Sequence, residues 1–397
     1  MTVVISRILT INSGSSSLKF SLFSMGQTEK LELMGALERI GLRAGFFHIR
    51  DAKGTTLNDQ HLDLSDHQIA LRVLFNWLKE HSPEKQIDAI GHRIVHGGSA
   101  YDSPHLIDSK LMATLKDLVP LAPDHLPHEI KAIQGVSQSY PQMQQVACFD
   151  TSFHRQMPTI AQIYPLPRSF WHAGLRRYGF HGLSYEYIIE ELQKEAGREQ
   201  AEGRVIVAHL GNGASMAAIN HGMSKDTTMG YTPTGGLVMS TRSGDLDPGV
   251  ILYLLEERGL SPASLNDLIN KNSGLLGVSG VSSDMQDLLQ QEKKNPHVSE
   301  AINLFCYQAR KFLGGLTTVL GGLDTLVFCG GIGENAPEIR RRICDGLEFL
   351  GIRLDTHRND ENAPIISQDG APVTVRVMHT NEELMIARHT YQLIKQD

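Results

Sequence analysis

Two stretches decide how this chain is read: I-N-S-G-S-S-S-L-K-F, Ile11 to Phe20, and H-L-G-N-G-A-S, His209 to Ser215. Each sets a tight turn of Gly, Ser and Asn between apolar runs, Arg7 to Phe23 around the first and Arg204 to Ile219 around the second. That is the pattern of a β-hairpin with a polar tip. Placing Gly14 on Gly213 offsets the two by 199 positions, about half of the 397 residues, so the spacing predicts a duplicated domain.

Outward from the hairpins, Ile87 to Val95 reads as a strand ending at His96-Gly97-Gly98, and Gln145 to Phe149 as another ending in Asp150. Thr325 to Cys329 is a short buried strand feeding the glycine turn G-G-I-G-E-N, Gly330 to Asn335. Helices gather in the second half. Asp247 caps one with Pro248 at its first position and Gly259 at its end, and a long amphipathic helix begins at Ser299. Another carries Ile339, Ile343, Leu347 and Leu350 on its face and closes at Gly351. The last begins at Thr380, with Glu383 completing a capping box that leaves Glu382 outward. Hairpins combined with strand-turn-helix units predict an α/β fold with mixed sheets, hinged near Asp150 to Phe153.

Composition bounds the rest. At ~150 residues per domain the length fits two domains. Hydrophobic residues at 41% supply real cores and exclude a disordered or fibrous chain. A net charge of −7 with no basic block argues against a nucleic-acid surface. The apolar run from Val3 is broken by Arg7 and Asn12 and reads as a first strand, not a signal peptide. Leu313 to Gly331 is too interrupted to span a membrane, and four cysteines without a C-x-x-C pair fit a reducing cytoplasm.

Three glycine-rich turns, Asn12 to Ser17, Gly211 to Ser215 and Gly330 to Asn335, follow strands and can offer backbone N–H groups to a phosphate. Each alone is equally a tight turn; three together favour a nucleotide, although neither a P-loop nor a G-x-G-x-x-G fingerprint is present. Lys19 leaves the first turn either toward that phosphate or as a solvated edge lysine. Asp150 ends a strand, facing a cleft or capping the next turn. Arg93 lies among apolar neighbours and needs an anionic partner, for which a carboxylate substrate would serve. His181 in R-R-Y-G-F-H-G and Arg242 in T-R-S-G-D sit in glycine-rich loops; each taken singly is more often structural or solvated, while the two with Arg93 would make a cationic cage for a transferring phosphoryl group. Signatures of zinc and serine hydrolases are absent from the sequence.

These motifs, with G-H-R-I-V-H-G-G, F-D-T-S-F-H, S-G-L-L-G-V-S-G and T-N-E-E-L, resemble the acetate kinase family, of the superfamily that holds sugar kinases, heat-shock chaperones and actin, in the family's order from Asn12 to Leu384. The resemblance implies two duplicated actin-like, ribonuclease H-like lobes with a nucleotide cleft between them. Residues 1–151 with 384–397 would form the acyl-substrate lobe, and 152–383 the lobe for nucleotide binding and dimerisation. It implies reversible, Mg2+-dependent (or Mn2+-dependent) in-line transfer of the ATP γ-phosphoryl group to acetate, giving acetyl phosphate and ADP. Propionate, butyrate or another short carboxylate is the alternative acceptor. A cytoplasmic homodimer is implied, without nucleic-acid or membrane partners.

By the same resemblance Arg93 would hold the carboxylate, and Val95, Phe180 and Pro233 its alkyl group. Arg242 and His181 would stabilise the planar phosphoryl, with His125 assisting, and Asp150 would be the acidic catalytic residue. Asn12 and Glu382 would position the metal. Lys19, His209, Leu210, Gly211, Asn212, Gly213, Asp284, Met285, Gln286, Gly330, Gly331, Ile332, Gly333 and Glu334 would bind the nucleotide. The chain departs from the family pattern at Asp124 and Leu126 in L-A-P-D-H-L-P, where L-A-P-L-H-N-P is usual, and at Gln286, where Arg is usual. Leu183 and Tyr185 stand where Thr and His are usual. A non-catalytic nucleotide-dependent clamp is the rival reading, and retention of Arg93, Asp150, His181 and Arg242 argues against it.

Overall fold

A computed structural model describes residues 5–81 and 86–395. Val3, where the first apolar run begins, lies outside them. The chain divides into two compact units, Met1–Ser152 with Asn381–Asp397 (unit 1) and Phe153–Thr380 (unit 2).

Unit 1 is built on a mixed eight-stranded sheet. Its strands are β1 (Ser6–Ser13), β2 (Ser17–Met25), β3 (Glu29–Glu38), β4 (Gly45–Asp51), β5 (Thr56–Leu62), β6 (Ala89–Ile94), β7 (His105–Leu106) and β8 (Gln144–Phe149). They lie in the order β5-β4-β3-β2-β1-β6-β8-β7. Strand β1 is central and almost wholly buried, which its apolar run requires. One face carries the helices His67–His81 and Leu126–Ser139. The other is covered by the C-terminal helix Glu382–Ile394, which packs against β1, β2, β6 and β8. Gly91 in β6 permits that approach, because a Cβ there would lie 2.3 Å from Thr390 Oγ1.

Unit 2 holds a five-stranded sheet of β9 (Arg204–Leu210), β10 (Ala214–Asn220), β11 (Met223–Thr227), β12 (Thr325–Cys329) and β13 (Thr374–Val377), ordered β11-β10-β9-β12-β13. In each sheet two antiparallel pairings are followed by two parallel ones, so β3-β2-β1-β6-β8 and β11-β10-β9-β12-β13 repeat one topology. The duplication suggested by the two glycine hairpins is thus present in the strand order. The helix Pro296–Leu320 packs on β9, β10 and β11, and the helix Gly182–Ala196 packs on β9.

Three expected elements are corrected. The long helix starts at Pro296 rather than Ser299, because Asn295 Oδ1 accepts the His297 N–H at 3.0 Å and Pro296 fits a first helical position. Gly330–Asn335 is itself a helical turn, and the following helix ends at Cys344, so Leu347 and Leu350 lie beyond it. The capping box at Thr380 and Glu383 does not form. Asn381 Oδ1 takes the Leu384 N–H at 2.9 Å, the helix begins at Glu382, and the Thr380 hydroxyl is bonded to Ser184 Oγ at 2.7 Å. Among the described residues no helix is long and apolar enough to cross a membrane.

Candidate active site

In unit 1 the parallel pairing of β6 with β8 sets Arg93 opposite Cys148, and the chain leaving β8 places Asp150 with its N–H on Ile94 O. Arg93 Nε donates to Asp150 Oδ1 at 3.0 Å and Nη2 to Oδ2 at 2.7 Å, while Nη1 lies 3.3 Å from Glu382 Oε2. The Asp150 side chain is 2% exposed and that of Arg93 19%, so the pair is largely withdrawn from water. Burial opposes the Arg93 charge, yet Asp150 and Glu382 outweigh it and raise the guanidinium above its ordinary value. Asp150 and Glu382 thus supply carboxylates of the protein's own to the guanidinium for which the sequence called on a substrate.

Two acidic neighbours complete this group. Glu383 is pushed up by burial and by the charge of Glu382. Glu129, on the helix Leu126–Ser139, is 3% exposed and accepts the Val95 N–H at 3.2 Å. Its burial drives the carboxyl up to about 8, against the Val95 bond and the charge of Arg93. Sequence reading missed Glu129, since an acidic residue in a first helical turn reads as ordinary dipole compensation. Half-buried Asn12 and exposed Lys19 face each other across the first hairpin, whose turn is closed by Gly14 N–H on Ser17 O at 2.8 Å. His125 stands at the N-cap of its helix without a side-chain capping bond. Asp124 is half-buried; burial, with the charges of His67 and Lys131, holds the neighbouring His128 below its ordinary value against the charge of Asp124.

Unit 2 gathers a second group. His181 adopts the left-handed conformation, φ 60°, at the N-cap of Gly182–Ala196. Its ring stacks on His209 with centroids 4.4 Å apart, and its Nδ1 lies 2.8 Å from Ser215 Oγ. His209 Nδ1 is held by Ser184 Oγ at 2.8 Å. Gly213 borders both side chains: a Cβ there would sit 3.1 Å from His181 Nε2 and 3.6 Å from Arg242 Nη1. Arg242 Nη1 donates to Pro233 O at 3.1 Å, and Phe180 is 1% exposed, its carbonyl accepting from His154 Nε2 at 3.1 Å.

Next to this group a cavity of about 740 Å³ is lined by Gly211, Asn212, Asp284, Met285, Gln286, Gly331, Ile332 and Asn335, joined by Leu289, Gln290 and Ala336, which the sequence did not single out. Leu289 was legible as Met285 plus four on one helix face. Asp284 caps the helix Met285–Gln291 by accepting from Gln286 and Asp287 N–H, and Asn212 Oδ1 accepts from Ser240 Oγ at 3.2 Å. Gly330 has φ 77°, and a Cβ there would lie 2.8 Å from Leu210 O, so the turn requires glycine. Glu334, expected to face the nucleotide, is turned inward. It accepts Gly330 N–H at 2.9 Å and meets His379 Nδ1 at 2.6 Å, bracing the turn rather than offering its charge to a phosphate. Arg340, 0% exposed, ties the carbonyls of Gly333 and Glu334 to Asn359.

The structure therefore brings Arg93, Asp150 and Glu382 together in unit 1. In unit 2 it gathers His181, His209, Gly213 and Arg242, and lines one cavity with three of the expected nucleotide segments. Lys19 belongs to unit 1, apart from the other nucleotide candidates in sequence and in unit. Half-buried Asn12 and Glu382 of unit 1 carry oxygen donors of the kind that Mg2+ takes, one or two from protein with phosphate and water completing its shell. Among the described residues no three His, Cys, Asp or Glu side chains form a closed metal cage.

A family model described as the acetokinase family matches residues 7–388. A curated relative, an acetate kinase of Methylocella silvestris, is 44% identical over 403 residues, covering 98% of each chain. Among solved structures, Porphyromonas gingivalis acetate kinase superposes with a TM-score of 0.89 at 38% identity, covering 98% of this chain and 100% of that one. A propionate kinase from Francisella tularensis gives 0.92 at 37%, covering 98% and 99%.

Proposed function

This chain belongs to the acetokinase family, and we propose on that premise that it transfers the γ-phosphoryl group of ATP reversibly to acetate, giving acetyl phosphate and ADP. The observation that carries the reading is the meeting of His181 and Arg242 around Gly213, beside a cavity lined by the glycine turns at Gly211 and Gly331.

The chemistry follows from the acceptor. A carboxylate is ionised at neutral pH and needs no general base, so catalysis reduces to positioning and to neutralising charge on a loose, in-line transition state. Arg93 takes the carboxylate, with the apolar Val95, Phe180 and Pro233 for its methyl group. Arg242 and His181 meet the phosphoryl oxygens, assisted by His125, and His209 holds the His181 ring by stacking. The loop His209 to Gly213, Lys19, the segment Asp284 to Gln286 and the turn Gly330 to Glu334 bind the nucleotide, the last through backbone N–H groups. Asp150, with both oxygens on Arg93, orients the guanidinium and has no substrate proton to remove. Asn12 and Glu382 would hold magnesium, which when bound offsets phosphate charge.

A homodimer belongs with this reading: the helix Pro248–Glu256 is almost entirely apolar yet buries none of its residues, and Ile160 is 83% exposed. So does the cytoplasm, since ATP is found there and all four cysteines are buried. Propionate is the second acceptor, favoured by the Francisella tularensis neighbour and by the unusual Asp124.

The test traps acyl phosphate as hydroxamate, with magnesium ATP against acetate, propionate, butyrate and lactate at matched concentrations. Product with acetate and propionate supports the proposal. No product with any acid refutes it in favour of a nucleotide-dependent clamp.

A further inference from the structure

Tyr185 is 0% exposed on the helix Gly182–Ala196, and among the described residues its hydroxyl has one hydrogen-bond partner, Ser215 Oγ on β10. Ser215 Oγ is also 2.8 Å from His181 Nδ1. The three side chains form a line from the core of unit 2 to the ring edge beside Gly213.

The direction of the protons along that line is fixed by the inner end. Burial pushes the Tyr185 phenol well above its ordinary value, so it keeps its proton. A buried O–H with one neighbour donates to that neighbour, because an unmade bond leaves the desolvation cost of the donor uncompensated. Ser215 Oγ, having accepted from Tyr185, turns its own proton toward His181 Nδ1. That nitrogen is then an acceptor, and the neutral ring carries its proton on Nε2. The reverse order, Nδ1–H to Ser215 and Ser215 to Tyr185, leaves the phenolic proton of a fully buried side chain without the acceptor that Ser215 Oγ offers. At the outer end, Nε2 faces the space that Gly213 keeps open, the same space that Arg242 Nη1 borders.

We propose that Tyr185 is a positioning residue for phosphoryl transfer: through Ser215 it fixes His181 as the Nε2–H tautomer, a neutral hydrogen-bond donor presented beside Arg242. The identity of the group that His181 meets rests on the carboxylate-kinase reading; the tautomer does not.

Long-range proton–nitrogen correlation NMR of isotope-labelled histidine, assigned by loss of signal in His181→Gln, reads the tautomer in the full-length protein. A single Nε2–H pattern is expected at neutral pH. An Nδ1–H pattern or an imidazolium overturns the proposal. In Tyr185→Phe, and likewise in Ser215→Ala, the ring should sample both tautomers, with kcat lowered about tenfold at an unchanged KM for the carboxylate. An unaltered pattern and kcat in Tyr185→Phe overturns the role of Tyr185. Should the variants fail to fold, the wild-type spectrum still decides. An inactive wild-type protein with the Nε2–H pattern supports the relay and refutes the kinase reading, so the two failures are distinguishable.

Discussion

Arg93 donates three hydrogen bonds to Asp150, from Nε to Oδ1 and Oδ2 at 3.0 and 3.2 Å and from Nη2 to Oδ2 at 2.7 Å, and Glu382 stands 3.3 Å from the same guanidinium. The guanidinium thus lies between two carboxylates, an arrangement with measurable consequences. Arg93→Ala removes the cation from a buried Asp150 and should cost about 3 kcal/mol or more, whereas Asp150→Asn leaves Arg93 with Glu382 and should cost about 1. Thermal denaturation of the two variants gives the order; equal losses would show that Glu382 does not compensate.

Glu129 makes stability depend on pH. Its carboxyl rises from an ordinary 4.5 to about 8, so through that window the folded protein binds a proton that the unfolded chain has released. Its contribution is most favourable at and below 4.5 and is lost as pH climbs to about 8. Glu129→Gln keeps an acceptor for the Val95 N–H without this penalty. Denaturant titrations should show the variant gaining on the wild type across the window, and parallel curves would place the Glu129 proton elsewhere.

Gly330→Ala forces a Cβ against Leu210 O in a left-handed backbone position. A loss of about 1–3 kcal/mol is expected, together with a raised KM for ATP and little change in KM for the acid. An acid-specific effect would separate this turn from the nucleotide.

Arg242→Ala removes the cation beside His181 and leaves the cavity at Gly211 and Gly331 intact. Turnover should be abolished while ATP binding, followed by calorimetry, persists. Surviving turnover would remove Arg242 from the transition state.

Asp124 stands one residue before His125 where an apolar residue is usual in the family pattern. If its side chain hydrates the acyl pocket, Asp124→Leu shifts the preference among acetate, propionate, butyrate and lactate; an unchanged ranking places Asp124 outside the pocket.

Much of this was legible in the sequence because turn chemistry is local. Asn12 to Ser17, Gly211 to Gly213 and Gly330 to Asn335 announce themselves by composition, and their half-chain offset carried the duplicated topology. Asp247 and Pro248 likewise named a helix start that the structure retains, with Asp247 accepting the Gly249 N–H at 2.7 Å. What stayed hidden depends on partners distant in sequence. Glu129 becomes unusual only beside Val95 and Arg93, Tyr185 only through Ser215, and Arg340 only because the Asn359 segment folds over it. The C-terminal cap failed for a related reason: Thr380 had a second claim on its hydroxyl, from Ser184, and Asn381 took its place.

The central claim is that a carboxylate oxygen, and not water, takes the γ-phosphoryl group. Acetate labelled with heavy oxygen in both carboxylate positions, incubated with the protein and magnesium ATP, tests it by phosphorus NMR of the product. One heavy oxygen bridging carbon and phosphorus in acetyl phosphate is the result this account predicts. Unlabelled inorganic phosphate beside ADP, with no acetyl phosphate, marks transfer to water and would contradict it.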